Sequence, residues 1–329
     1  MRYRRLGDSD LQVSMVALGC GCFGGFGAIP EFLGLGETEQ QARAVLDAAH
    51  ENGITLFDTA NTYGAGQSEE WIGRWLAGRP SVRDELVITT KVGTPVGPGE
   101  GDRGLSAAHI RSQLERSLRR MGLDHVDLYL SHEPDPATPL DETLRTFDDL
   151  IRAGKIRHYG LANVDATEIA AVLAAADALG VPGPVNVQVG HNLLDPAPAA
   201  TLDLCRARGI GVTAFSALAG GWLAGAYRAG SPYPPRSRMA VMPERYRLME
   251  RLAEAGVLTA LGVQAQARGI ALPTLALAWL LSDPVVSAGL TAPQTPEQLT
   301  PALAAVDHLL DDAGRAHVTA IVEAARVSV

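Results

Sequence analysis

The sequence is poor in the features that mark secreted, membrane-spanning and nucleic-acid-binding chains. It has three cysteines, Cys20, Cys22 and Cys205, in 329 residues. Three are too few for a disulfide scaffold. Cys20-x-Cys22 also lacks the second pair or nearby histidines of a zinc site, so structural or pocket-lining thiols and no metal are expected. The most apolar stretch, Ile270 to Leu281, contains Pro273 and falls short of the ~20 residues that a membrane-spanning helix needs. After the basic opening Met1-Arg2-Tyr3-Arg4-Arg5 come Gly7, Asp8, Ser9 and Asp10, where an export signal would need an apolar run. No block of Lys and Arg is present, and 28 Lys+Arg against 37 Asp+Glu give a net charge of −9. Binding to nucleic acid or an anionic membrane depends on neutralising phosphate, so neither partner is expected. A reducing, cytoplasmic setting fits this pattern.

What the chain does have is apolar mass. It is 47% hydrophobic and 20% charged, enough to build a large core and to exclude wholesale disorder; its glycines follow no three-residue period, which excludes collagen. The length allows two ordinary domains or one large α/β barrel. An opening hairpin (Tyr3 to Leu6, Leu11 to Ser14) precedes eight short β-rich runs. These are Met15–Leu18, Thr55–Asp58, Val87–Thr90, Val126–Leu130, Ile156–Leu161, Val185–Val189, Gly211–Phe215 and Val285–Leu290. Helical patterns alternate with them: Glu39–Asn52, Glu69–Leu76, Ala107–Met121, Leu140–Ala153, Thr167–Leu179, Ala199–Arg208 and Pro273–Leu281, then Pro296–His308 and Asp312–Ala325. Thr38 and Ser106 read as N-caps, and Gly53, Gly122, Gly154, Gly180 and Gly209 follow helix ends.

Strict alternation predicts a parallel sheet, and eight units are the count of a (β/α)8 TIM barrel. One barrel spanning 1–329 is therefore expected, with an N-terminal β-hairpin and a long insertion after strand 7. The insertion carries Gly230-Ser231-Pro232-Tyr233-Pro234-Pro235-Arg236 and an added helix from Glu244 to Arg268. Gly19-x-Gly21-x-x-Gly24 spells a dinucleotide fingerprint, but that motif needs a helix N-terminus directly after it to hold pyrophosphate. The first helical pattern waits until Glu39, so a barrel-mouth loop is the better reading.

Barrel chemistry sits at the C-terminal strand ends. Four suitable side chains fall there: Asp58 and Tyr63 at and beyond the second strand, Lys91 at the third and His132 at the fourth. Each alone is more often a cap, a solvated charge or a packed ring; together, in order, they suit protonation of a carbonyl oxygen as hydride arrives. A free phenol, with a pKa near 10, is too weak an acid for this at neutral pH. An ammonium about 4 Å away offers roughly 4 kcal/mol to the phenolate at an effective dielectric of 20, so Lys91 is expected to bring Tyr63 into working range. Asp58 would hold Lys91, and His132 would orient the substrate oxygen.

The stretches FDTANTYGAGQSEEWIGRWL from Phe57, TTKVG from Thr89, DLYLSHEPD from Asp127, GKIRHYGLANVD from Gly154 and FSALAGGWLAG from Phe215 make the chain resemble the aldo-keto reductase superfamily over nearly its whole length. The resemblance implies a (β/α)8 barrel, NAD(P)H-dependent interconversion of carbonyls and alcohols, and a catalytic tetrad on Asp58, Tyr63, Lys91 and His132. It also implies a cofactor site, to which Asp58 belongs as well. The family's Ser-Asn pair and Gln for the nicotinamide amide match Ala162, Asn163 and Gln188, so the serine hydroxyl is missing. Phe215 takes the place of the aromatic that stacks on the nicotinamide, Ser216, Leu218 and Gly220 match the pyrophosphate loop, and Cys20 matches a cofactor-proximal position.

At the adenosine end, Ala292-Pro293-Gln294 replaces the family's Gly-x-Arg/Ser, Gln298 is retained and Ala302 stands for an Asn. Neutral Gln294 cannot pair with a 2′-phosphate as Arg does. Arg238 matches a position that reaches that phosphate in some members, which favours NADP with NAD as the alternative. Cys22, Phe23, Phe26, Trp222 and Tyr227 are expected to line a pocket for a small carbonyl or sugar substrate, or else to pack their own loops. Arg228, Arg236, Arg238, Arg245 and Arg247 make the insertion locally basic. The rival readings are a lysine Schiff-base lyase acting through Lys91 and a non-catalytic, cofactor-binding regulatory subunit. Substrate and oligomeric state have no signature in the sequence.

Overall fold

The structure, a computed structural model, describes residues 1–27 and 30–326. Two strands, β1 (Tyr3–Arg5) and β2 (Gln12–Ser14), pair antiparallel as the expected hairpin. Eight more are β3 (Val16–Gly19), β4 (Leu56–Asp58), β5 (Val87–Val92), β6 (Val126–Ser131), β7 (Ile156–Ala162), β8 (Asn186–Gly190), β9 (Gly211–Phe215) and β10 (Val286–Thr291). They close into an all-parallel barrel in the order β10-β3-β4-β5-β6-β7-β8-β9, with helices between them. The (β/α)8 barrel with an N-terminal hairpin is therefore present, and the strand limits differ from the sequence expectation by a residue or two.

Both faces of these strands are covered, which is why β5, β6 and β10 are buried at every position. The period of two divides them cleanly. Ala17, Leu56, Val87, Leu128, Leu130, Ala162, Ala288 and Leu290 form the inner cluster, and Leu6, Leu11 and Val13 of the hairpin join it, plugging the end of the barrel away from the strand C-termini. Neighbours such as Leu18, Phe57, Ile88, Tyr129 and Val212 point outward into the helix-facing core.

The helix signals act as their chemistry requires. Thr38 accepts from the backbone of Gln41, whose side chain returns to Thr38, and Ser106 accepts from His109. Asp165 caps the helix Ala166–Leu179 in the same reciprocal way, starting it one residue earlier than expected. Two expectations need correction. The long insertion helix, expected from Glu244 to Arg268, is two helices, Arg247–Glu254 and Val257–Ala267, because Gly256 breaks it at φ +81°. The segment expected as one helix from Pro296 to His308 is a 3-10 turn, Pro296–Leu299, followed by Thr300–Ala305; Pro301 has no N–H to continue the first turn. A short helix, Pro80–Arg83, was not among the expected elements, although Pro80 at its first position is a helix-start signal.

Arg4 fixes the hairpin to the barrel. Its guanidinium donates to the carbonyls of Asp283 (3.0 Å), Val286 (2.5 Å) and Leu281 (2.8 Å), where a helix C-terminus turns into β10. Arg4→Met keeps much of the stem but leaves these carbonyls without the charged donor, and is expected to cost about 2 kcal/mol, read as a lower urea midpoint with an unchanged slope.

Candidate active site

The four expected residues meet at the C-terminal mouth of the barrel. Asp58 ends β4, and Lys91 stands one residue before the end of β5 with no exposed surface. Lys91 is one of only two lysines in the chain. Its Nζ donates to Asp58 Oδ1 at 2.5 Å, to the Thr59 carbonyl at 2.8 Å and to the Tyr63 hydroxyl at 3.2 Å. Gln188, from β8 across the barrel, donates to the other Asp58 oxygen at 2.7 Å. His132 follows β6, with its ring 5.6 Å from that of Tyr63 and nearly perpendicular to it.

Burial and charge oppose each other here. Burial works to lower the Lys91 pKa, but Asp58 and Tyr63 outweigh it and hold the ammonium above its ordinary range. For Tyr63 the balance corrects the sequence expectation: desolvation exceeds the pull of Lys91, and the phenol is raised rather than lowered. Lys91 already shares its charge with Asp58 at 2.5 Å, which leaves less of its field for the phenol. Tyr63 therefore stays protonated at neutral pH. Burial, helped by Lys91, pushes His132 down to about 3, so its imidazole is neutral. Thr94 Oγ1 lies 3.3 Å from His132 Nδ1; with Thr94 donating, Nε2 carries the hydrogen.

The loop bearing Tyr63 is tightly wound. Gly64 and Ala65 both have φ +56° and Gly66 has φ +98°, conformations that cost strain at a residue with Cβ, as at Ala65. A buried network steadies it from the side. Glu69, fully buried, accepts from Thr90 Oγ1 at 2.6 Å and from Arg120 at 2.8 Å, and Arg120 also donates to the Asn61 carbonyl at 3.3 Å. Asn61 in turn donates to Gln113 at 3.1 Å. This network was not read from the sequence. Glu69 did leave a trace, since it shares the helical face of Ile72, Gly73 and Leu76, where an unpaired carboxylate would be out of place.

The expected cofactor residues fall along one arc of the mouth. Ala162 ends β7 and is buried; Asn163, at φ +56°, donates to the His132 carbonyl at 2.8 Å. Phe215 ends β9 with its ring against Gly190. Beyond it Ser216, Ala219, Gly220 and Gly221 all have positive φ. Among the described residues, the N–H groups of Ala217 and Leu218 have no acceptor. A left-handed loop with free N–H donors is the donor set that a pyrophosphate requires, so these residues fit a dinucleotide. Gln298 accepts from the Gln294 backbone at 2.8 Å and closes its own loop. Arg238 points at Cys22, donating to Sγ at 2.8 Å. Cys20 is fully buried with its thiol toward Leu18.

The expected pocket residues are all buried. Phe23 lies against Trp71, and Phe26 beneath the Arg238 guanidinium. Trp222 and Tyr227 pack with Tyr233 in an edge-to-face group inside the insertion. No helix among the described residues is long and apolar enough to cross a membrane, and no metal-holding cluster is found among them.

A family model described as Aldo/keto reductase family matches residues 26–323. The chain belongs to the aldo/keto reductase family. It is 35% identical over 321 residues to a Bacillus subtilis protein named as an uncharacterized oxidoreductase, covering 94% of this chain and 93% of that one. It is 33% identical over 316 residues to an Escherichia coli L-glyceraldehyde 3-phosphate reductase, covering 94% and 88%. An Arabidopsis thaliana protein named as a probable voltage-gated potassium channel subunit beta is 34% identical over 313 residues, covering 93% and 92%. Family membership places the chain among oxidoreductases that use a nicotinamide cofactor.

Removing Arg120 from this aldo/keto reductase leaves Glu69 buried and unpaired. Arg120→Ala is expected to cost about 3 kcal/mol, and the double variant Glu69→Leu/Arg120→Met less than half of that, because it removes both charges together. Urea unfolding of both variants checks this.

Proposed function

We propose that the protein reduces an aldehyde, ketone or sugar carbonyl to the alcohol, or catalyses the reverse, with NAD(P)H as the hydride source. The supporting observation is the buried chain Asp58–Lys91–Tyr63, at 2.5 and 3.2 Å, beside a neutral histidine. A reduced nicotinamide, when bound, supplies a hydride to the carbonyl carbon. Tyr63 donates its phenolic proton to the carbonyl oxygen, and Lys91 stabilises the phenolate left behind. Asp58 keeps Lys91 protonated and in place, with Gln188 holding the second Asp58 oxygen. His132 donates through Nε2 to the substrate oxygen and sets its direction.

The raised phenol suits this division of labour. Tyr63 is fully stocked with its proton at neutral pH and gives it up only as negative charge develops on the oxygen it faces. Gln188 Oε1 accepts no hydrogen bond from the described residues and is free for a nicotinamide amide; Asn163 stands beside it, while Ala162 brings no hydroxyl. Phe215 provides a flat face, and Ser216, Leu218 and Gly220 the phosphate-binding loop. Arg238 is the cation that supports NADP(H) over NAD(H).

Lys91 as a Schiff-base nucleophile fits less well. That chemistry needs a neutral amine, whereas Asp58 and the Thr59 carbonyl stabilise the ammonium. A non-catalytic, cofactor-binding subunit is the second reading, favoured by the name of the Arabidopsis relative. Turnover separates it from the first. A panel of sugars, aromatic aldehydes and pyridoxal, followed by NAD(P)H absorbance, is expected to contain substrates; no turnover with any carbonyl would favour the regulatory reading. Tyr63→Phe is expected to bind cofactor and lose turnover by about 10³-fold. His132→Gln is expected to lower kcat/KM by about a hundredfold without changing the shape of its profile between pH 5 and 8, since a group at about 3 does not titrate there.

A further inference from the structure

A second polar cluster lies at the rim of the same mouth and takes no part in proton transfer. It forms where the loops after β3 and β10 meet the insertion after β9, three strands that are neighbours in the barrel. Glu37 is stitched to the first of these loops: its N–H donates to the Cys22 carbonyl at 2.8 Å, and its own carbonyl accepts from Gly24 at 3.0 Å. The residue is 4% exposed, and neither carboxylate oxygen has a hydrogen-bond partner among the described residues. Burial pushes its pKa up to about 7, against the opposing pull of its own backbone N–H, then of Arg238 and of the Gln294 side chain.

Arg238 reaches the same point from the insertion. Its Nη2 donates to Cys22 Sγ at 2.8 Å, and its guanidinium lies 5.5 Å from the centre of the Phe26 ring. Cys22, Tyr246 and Glu37 raise its pKa against the cost of burial. Tyr246 links the cluster to the phosphate-binding loop, since a Cβ built on Gly220 would stand 2.3 Å from its ring. One line of contacts thus joins the loop fitted for pyrophosphate to Arg238, Cys22 and Glu37.

The two charged groups make opposite demands on a nucleotide ribose. A guanidinium pairs well with a 2′-phosphate. A carboxylate accepts from a 2′-hydroxyl but faces a like charge in a 2′-phosphate, which holds close to two negative charges at pH 8. The Glu37 oxygens feel the pull of the local backbone, Arg238 and Gln294 but have no hydrogen bond of ordinary geometry among the described residues, and burying them so is costly. A ribose hydroxyl would supply a donor; a phosphate would not.

We propose that Glu37 is a specificity-determining residue that weakens NADP(H) relative to NAD(H), by competing with a 2′-phosphate for Arg238 and by accepting from a ribose hydroxyl. This inference rests on the oxidoreductase reading above. The test is calorimetric titration of NADP⁺ and NAD⁺ at pH 8 into the wild-type protein, Glu37→Gln and Glu37→Leu, each first shown to melt cooperatively. Both variants are expected to tighten NADP⁺ relative to NAD⁺ by about tenfold, and Glu37→Leu to weaken NAD⁺ as well. An affinity ratio unchanged in both variants overturns the role of Glu37 and leaves the oxidoreductase reading standing. Failure of the wild-type protein to bind either dinucleotide overturns that reading and the inference with it.

Discussion

The site depends on one buried ammonium. Lys91 has no contact with solvent, and three oxygens, from Asp58, Thr59 and Tyr63, take the place of its water. An ammonium in such a place is expensive unless it is paired and its hydrogens are used, and here all three are directed to acceptors. The barrel makes this arrangement possible. Adjacent parallel strands put the end of β4 beside β5, so Asp58 and Lys91 meet without any loop having to be ordered for the purpose. Thr59 follows directly on β4, whereas Tyr63 comes from farther along the loop, whose left-handed residues after it show the strain of bringing it back over Lys91.

The same polarity organises the surroundings. The fully buried Glu69 and the half-buried Arg120 form a second pair beside the Tyr63 loop, and Glu37 and Arg238 lie at the rim of the mouth. The first of these groups are satisfied, and the pair acts as a clasp. Glu37 has no hydrogen bond of ordinary geometry among the described residues, and it is the group proposed to accept from a ribose hydroxyl. The net charge of −9 says little about this neighbourhood, where individual cations and carboxylates are set a few ångströms apart.

Much of the architecture was legible because it follows periodicity and punctuation. Alternating runs gave the eight strands, and Thr38, Ser106 and Gly122 marked helix ends by their capping chemistry. Gly256 in the insertion and Pro301 near the C-terminus were equally visible as breakers, and the longer helices drawn through them were broken there. The gathering of Asp58, Tyr63, Lys91 and His132 at one mouth was legible because all four fall at or beyond strand ends. Its electrostatics were not: the sequence places Lys91 near Tyr63 but does not say how much of its charge Asp58 absorbs or how dry the phenol is. The Glu69–Arg120 clasp and the open carboxylate of Glu37 depend on contacts between distant segments, which no local pattern encodes. Chemical type alone also left Trp222 and Tyr227 undecided between pocket and packing, and they are packed against Tyr233.

The decisive measurement is the turnover of Asp58→Asn with a reactive aldehyde, alongside the cofactor dissociation constant of the same folded protein. The substitution keeps the shape of the side chain, removes the charge that holds Lys91 protonated and replaces one of the two accepting oxygens by an amide N–H2. If the buried ion pair sustains proton donation by Tyr63, kcat falls by at least about a hundredfold while cofactor affinity changes only a few-fold. Turnover within about threefold of wild type, with cofactor bound as before, would contradict the dependence of Tyr63 on Lys91 and Asp58.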